Sequence, residues 1–380
     1  MSSRPACLRC RRLALAGLLL LACAQGAWAE TWKFLVYGDS RAKWGGGVNV
    51  EILSDLAAAT VREKPDLVLF TGDLAGVGSP ANYATWQRVM QPVYDAHIPV
   101  FPVAGNHEVP DLAAFKATLL DPLAAGPALG VQGFVMDTSQ ADGRSYAFRY
   151  RGVLFLALDE YGSKYRVMTH AVNQPFVDEQ LAGRDPAVTP LVFAFGHEPA
   201  FRAGRDEGLE ENPNERNAFW RSLENAGCTS YFCGHMHLYA HTRISPNFWN
   251  FTSPDHEVHQ VISGAAGAPL YKLAYEGDTG PWTVVPLGQD TEHWGYVRVT
   301  VDDQTQAVTQ TWVRRVAPGT FEDVPDSAFS YTATSGRRLR LCLAGGGLIL
   351  AGAGVLLLVR RRMRRRSPPT TDNGQRTGQP

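Results

Sequence analysis

The 380-residue sequence predicts an α/β domain: a parallel β-sheet covered by helices, enlarged by hairpins into a mixed sheet or into two sheets packed face to face. Two observations predict it. Apolar runs of strand length alternate with segments of helical spacing from residue 32 onward, and several later apolar runs stand close enough in sequence to pair as hairpins. A third observation says where function would sit. Asp39, Asp73, Asn106, His107, His197, His235 and His237 each stand just past the C-terminal end of a predicted strand, the rim on which open α/β sheets build their sites.

The first strand, 32–38, is an apolar run closed by Gly-Asp. A helix over 49–64 follows, with Ile52, Leu53, Leu56 and Ala59 at helical spacing. It stops before Pro65, because a proline disfavours helical backbone in the residue ahead of it. Residues 66–71 form a second strand that again ends in Gly-Asp, 81–96 a second helix, and 98–104 a third strand ending in Gly-Asn-His. Further strands are predicted at 145–150, 153–158, 191–195, 229–233, 258–263, 296–301 and 307–313, with 153–158 the hairpin partner of 145–150 and 307–313 that of 296–301. No internal repeat is evident, and the domain is expected to occupy 30–316. Residues 317–336, rich in Pro, Ser, Thr and Asp, read as part of a stalk over 317–338.

The two ends have characters of their own. Arg9, Arg11 and Arg12 precede the apolar run 13–24, and Ala27-Trp28-Ala29 supplies small residues at a cleavage site, so 1–29 is expected to be a secretory signal peptide. Arg11-Arg12 and Leu20-Leu21-Ala22-Cys23 leave the export route open. Residues 341–359 carry no charge, which is enough for one helix across a bilayer, assigned here to 339–359. Six arginines between 360 and 366 follow it against three before it (Arg337, Arg338 and Arg340), so the tail 360–380 is expected on the cytoplasmic side. The expectation is a single-pass type I protein whose body lies outside the cytoplasm.

The formal net charge of −1 conceals this division. With the fourteen terminal arginines and the single terminal acid, Asp372, set aside from totals of 36 and 37, residues 30–336 keep 22 basic and 36 acidic side chains. A body that acidic is a poor binder of nucleic-acid backbone, which is held by Lys and Arg. Of six cysteines only Cys228 and Cys233 fall in the body, so no disulfide framework is expected. Their separation of five along a strand would point them to opposite faces, as small buried thiols.

The rim residues lie in five short motifs, in order Tyr37-Gly-Asp-Ser-Arg41, Thr71-Gly-Asp-Leu-Ala75, Ala104-Gly-Asn-His-Glu108, Phe195-Gly-His-Glu-Pro199 and Cys233-Gly-His-Met-His237. So many Asp, Asn and His side chains on one rim would repel and pay for desolvation unless a cation joined them. This ordered set resembles the calcineurin-like metallophosphoesterase superfamily, and within it the purple acid phosphatase branch and its bacterial relatives. Supporting stretches are His237-Leu-Tyr239, 264–271 and 145–150 leading into Leu156-Ala-Leu-Asp159, and the resemblance spans 32–313. It implies a four-layer α/β/β/α sandwich, to which the C-terminal transmembrane helix is added, and a site for two divalent or trivalent metal ions. Carried over by position, Asp39 and His237 ligate the first metal, Asp73 bridges, and Asn106, His197 and His235 ligate the second. His107 then sits at the substrate phosphate and assists the leaving group. Carboxylate, amide oxygen and imidazole together suit Fe, Mn or Zn. The implied activity is in-line hydrolysis of a phosphoester by a hydroxide shared between the metals. A phosphomonoester, a nucleotide or a phospholipid headgroup would each serve as substrate.

Two positions depart from the family pattern. The first motif usually continues Asp-x-His, and here that position is Arg41; purple acid phosphatases compensate with a Tyr three residues after the bridging Asp, and here that position is Gly76. The first metal is left one protein ligand short. Water or another side chain completes the shell, or the site is weak, or it is inactive and the chain is a binding ectodomain. Arg41 is a candidate to bind a phosphate oxygen, with a surface position or a salt bridge to a neighbouring acid as the plainer alternative. His241 is expected at the rim at best, His256, His259 and His293 in loops or strands, and Gly45-Gly46-Gly47 in a turn. Glu207, Glu210, Glu211 and Glu215 are expected on solvated surface.

Overall fold

The computed structural model describes residues 31–332, apart from 44–45, 127–129, 140–142, 163–168, 204–206, 248–256 and 273–278. The expected signal peptide, transmembrane helix and basic tail lie outside these residues. Among the described residues no helix is long and apolar enough to cross a membrane.

Two mixed sheets stand face to face with helices on their outer sides. The first is built from β1 (Thr31–Tyr37), β2 (Leu67–Phe70) and β3 (Val100–Pro102), all parallel, with α1 (Val50–Glu63) and α2 (Pro80–Asp95) as the crossovers. The second holds β4 (Gln132–Met136), β5 (Tyr146–Tyr150), β6 (Val153–Ala157), β7 (Leu191–Phe195), β8 (Ser230–Cys233), β9 (Tyr239–Pro246), β10 (Val258–Ser263) and β11 (Trp282–Asp290), in the order β11-β9-β10-β8-β7-β6-β5-β4. Helices α3 (Gln174–Ala182) and α4 (Pro213–Asn225) lead into β7 and β8. The chain then returns to the first sheet: β12 (Gly295–Asp302) pairs antiparallel with β1, and β13 (Ala307–Ala317), β14 (Thr320–Asp323) and β15 (Phe329–Thr332) extend it.

Aromatic residues fill the space between the sheets. Phe34 on β1 meets Phe155, Phe193 and Phe232 of the second sheet edge-on, with ring centroids 5.5, 5.2 and 5.9 Å away. Such pairs contribute ~0.5–1.5 kcal/mol each beyond area burial. On the outer faces, Phe70 packs on Trp86 of α2 at 4.9 Å and Tyr231 on Phe219 of α4 at 5.5 Å. The helix ends are set by local chemistry. Asn49 accepts from the Ile52 amide and Ser79 from that of Asn82, and Lys64 closes α1 in a left-handed turn.

Three expectations change here. Residues 320–332 are not an open stalk: Val313 faces Asp323, Gln310 faces Phe329, and the Tyr331 hydroxyl joins Gln310 and Ser230, so the polar segment is held by backbone pairing and a buried side-chain network. His241 is not a rim residue; it lies inside on β9, 2 % exposed, with its Nε2 2.9 Å from His259 Nδ1. Glu210 is not solvated but is held by Arg202, while Glu207 is exposed. Cys228 and Cys233 are buried free thiols, His293 is bonded to Asp290 in a loop, and His256 lies outside the described residues.

Candidate metal centre

The site loops leave the C-terminal ends of β1, β2, β3, β7 and β8, and they crowd together. Asp39, Asp73 and His235 all adopt left-handed backbone, with φ of 63°, 52° and 67°. Non-glycine residues rarely do so, and such strain gathers at functional sites. The glycines in the motifs allow the crowding: a Cβ on Gly105 would lie 2.3 Å from Asp73 Oδ1, and one on Gly234 the same distance from Asp39 Oδ2.

Three candidate ligand atoms meet, with a fourth beside one of them. His197 Nε2 lies 3.2 Å from Asn106 Oδ1 and 3.5 Å from Asp73 Oδ1, while His235 Nδ1 lies 3.3 Å from Asn106 Oδ1 and 3.2 Å from His197 Nε2. The other nitrogen of His197, Nδ1, donates to the Thr71 carbonyl at 2.7 Å, which leaves Nε2 as a bare lone pair aimed at other lone pairs. With His235 Nδ1 also unprotonated these lone pairs repel one another unless a cation joins them; with Nδ1 protonated, His235 donates to them instead. Atoms bound to one ion at ~2.1 Å stand ~3.0–3.4 Å apart for right-angle to tetrahedral directions, the spacing of Asn106 Oδ1, His197 Nε2 and His235 Nδ1, with Asp73 Oδ1 just beyond it. The donor set therefore fits a transition-metal ion. Burial first, and then the neighbouring His197, pushes the His235 imidazole down to about 3, which keeps it neutral as a ligand must be.

A second group lies beside the first. Asp39 accepts from the His235 amide at 3.1 Å through both oxygens, and its Oδ1 lies 3.6 Å from His237 Nε2. His237 Nδ1 donates to the Pro269 carbonyl at 2.9 Å, so Nε2 is again free of its proton; burial first, then Arg41, pushes this imidazole down to about 3. Asp39, Asp73 and His197 are buried and offer ligand atoms within 4.8 Å of one another. Burial and the adjacent Asp73 push the Asp39 carboxyl well above its ordinary range, and Arg41 opposes them. Asp73 lies between the groups: Oδ1 faces His197, while Oδ2 is 3.7 Å from both Arg41 Nε and His107 Nε2. Burial raises the Asp73 carboxyl, but the donors around it, the His107 amide among them, outweigh burial and hold the carboxyl low. His107, whose side chain is 29 % exposed, is at the mouth, with Nδ1 on the Gly76 carbonyl at 2.6 Å. Arg41 is no surface residue: it is 6 % exposed and faces the site.

Three acids that position this centre carried no assigned role in the sequence. Glu108 takes the amides of Asp73, Gly105 and Leu74 at 2.9, 2.8 and 3.1 Å, tying two site loops together. Glu160 Oε2 takes the amides of His197 and Glu198, both at 2.8 Å, and its Oε1 lies 2.5 Å from the Tyr231 hydroxyl. Glu198 in turn binds His170 Nδ1 at 2.9 Å. Glu108 closes the third motif, the one signal that could have found it. Glu160, one place past the strand-end Asp159, gave none.

Two mixed sheets flanked by helices carry a rim whose buried Asp39, Asp73 and His197 could hold a metal ion. The calcineurin-like phosphoesterase model matches residues 33–239, and the chain belongs to that family. Among solved structures, a purple acid phosphatase from yellow lupin (Lupinus luteus) superposes with a TM-score of 0.56 at 16 % identity, over 80 % of this chain and 54 % of that one. GAP50, the anchor in the inner membrane complex of Plasmodium, gives 0.50 at 14 % identity over 80 % and 90 %. A dimetal phosphatase from Danio rerio gives 0.48 at 15 % over 80 % and 99 %. These likenesses concern the fold. The chain spans about half the length of the lupin protein. No curated protein sequence matches the chain.

Proposed function

We propose that this chain is a metal-dependent phosphoesterase working outside the cytoplasm and tethered to the membrane by its C-terminal segment. The observation that carries the activity is the meeting of Asn106 Oδ1, His197 Nε2 and His235 Nδ1 at 3.2–3.3 Å, with Asp73 Oδ1 3.5 Å from His197 Nε2, in a chain of the phosphoesterase family. Bound there, Fe, Mn or Zn supplies Lewis acidity and lowers the pKa of water. The protein's own residues do the rest. The Thr71 carbonyl fixes the ring of His197 and Glu160 its backbone, and Glu108 fixes Asp73 and the Asn106 loop. His107, with its proton on Nδ1 committed to the Gly76 carbonyl, presents Nε2 at the mouth, where it holds or delivers a proton to the leaving oxygen. Arg41 adds a fixed positive charge beside Asp73, within reach of a phosphoryl oxygen. Export and tethering rest on the sequence of 1–29 and 341–359.

A second reading has one observation in its favour. Arg41 stands where the family places a first-metal histidine, so the chain could be a phosphoesterase-fold binding ectodomain. Release of phosphate from mono- and diesters by the purified chain, lost on chelation and restored by added metal, tests the two. Turnover that disappears in Asn106→Ala supports the enzyme. Metal-loaded chain that cleaves no ester supports the binding ectodomain.

A further inference from the structure

We propose that the Arg41 guanidinium is the resident cation of the first half-site, so that the chain takes up one transition-metal ion and not two. The inference rests on reading the rim as a metal centre and goes beyond it.

The half-site around Asp39 and His237 has the acceptors of a cation site but lacks its full ligand set. Asp39 Oδ1 and His237 Nε2 stand 3.6 Å apart in it, and Asp73 turns its Oδ2 to Arg41. Arg41 reaches the same place. Its Nε is 3.7 Å from Asp73 Oδ2, buried and without a hydrogen-bond partner, and its Nη2 donates to the Tyr271 hydroxyl at 3.5 Å. An arginine 6 % exposed keeps its charge, so it must be placed where negative charge compensates it. Here the buried Asp73 carboxylate is what it faces, and Asp39 is near enough to feel its charge. A metal ion in the same half-site would meet a like charge at contact range, with no added ligand in return.

The second departure from the family belongs to the same local structure. Arg41 pairs with Val48 in an isolated antiparallel bridge, and Ala42 donates to the Gly47 carbonyl at 2.9 Å, so the segment after the first motif doubles back as a small hairpin. That hairpin lies on Gly76: the Gly76 amide donates to Gly47 at 3.0 Å, and a Cβ at 76 would be 1.9 Å from the Gly46 carbonyl oxygen. No side chain fits at 76 while the hairpin is closed. The element that carries Arg41 into the half-site is the one that excludes a tyrosine ligand from it. Loss of both ligands is one structural change, in which a protein cation replaces a metal.

The test is metal content and its spectroscopic form, not turnover. The purified full-length chain is stripped with chelator and titrated with Zn²⁺, and separately loaded with Mn²⁺ for electron paramagnetic resonance. The wild type should bind one ion per chain and give the spectrum of an isolated Mn²⁺. Arg41→His, which restores the family ligand, should bind two ions and give an exchange-coupled spectrum. Two ions in the wild type, with a coupled spectrum, overturn the proposal and leave the phosphoesterase reading standing. Arg41→His that stays at one ion also overturns it. No ion in the wild type refutes the metal centre itself. Should Arg41→His fail to fold, wild-type stoichiometry and spectrum decide, and Arg41→Gln gives a second variant that keeps side-chain length and should gain Zn²⁺ affinity at the first half-site.

Discussion

Replacing Gly105 by alanine should disable the centre while substituting none of its side chains. The added Cβ would lie 2.3 Å from Asp73 Oδ1, 2.5 Å from the Asp73 nitrogen and 2.9 Å from His197 Cε1. Ordinary contact requires about 3.4 Å, so the Asp73 carboxylate and the Asn106 loop must part by about 1 Å, the kind of displacement that costs about 100-fold in rate. Overpacking a buried position costs a further ~1–3 kcal/mol in stability. Thermal unfolding, Zn²⁺ affinity and kcat/KM of Gly105→Ala, read beside Gly126→Ala, form the assay. A Cβ at Gly126 comes no nearer than 4.0 Å to another group, so that variant should behave as wild type. Gly105→Ala with unchanged affinity and rate would refute the claim that the loops meet at contact distance to build the site.

Other consequences follow from particular residues. Glu160→Ala strips the acceptor from the amides of His197 and Glu198, so it should lower the unfolding free energy by at least ~2 kcal/mol and weaken metal binding ~10–100-fold; calorimetry reads both. His107→Ala should cut kcat by ~10²–10⁴ while leaving metal content and melting temperature in place, because the ring lies at the mouth and ligates nothing. The buried pair His241 and His259, pushed down to about 4 and about 3 by burial, is neutral in the fold, whereas in the unfolded chain each takes a proton below about pH 6.5. Stability is therefore whole above about pH 6.5 and falls as pH drops toward those values, by about 2 kcal/mol per histidine at about pH 5. Denaturant unfolding against pH should show a flatter slope in His241→Leu/His259→Phe.

What the sequence made legible was whatever is written in short segments. The strands β1 to β3 and their helices stand out because each apolar run ends in Gly-Asp or Gly-Asn, and Pro65 ends α1. The rim residues were readable for the same reason: each motif follows its own strand. Edge elements were not. β11 carries Pro286 and a register shift before Gly288, as edge strands do, and its composition hides it. The polar stretch at 317–332 has a linker's composition, and only its pairing with β13 makes β14 and β15 strands. Glu108 and Glu160 were opaque because their partners are backbone amides. Those of Asp73 and His197 lie 35 and 37 residues away, and no side-chain motif records them. Arg41 was visible as a departure from pattern, but its burial against Asp73 depends on a hairpin that periodicity does not show.

The account turns on four atoms sharing one ion. Crystals of the chain grown with Mn²⁺ and measured for anomalous scattering test this most directly. The expected result is a peak at bonding distance from Asp73 Oδ1, Asn106 Oδ1, His197 Nε2 and His235 Nδ1, one that disappears in His235→Ala. Crystals soaked in Mn²⁺ that show no peak there, or show it only at surface carboxylates, would contradict the metal centre and the phosphoesterase built on it.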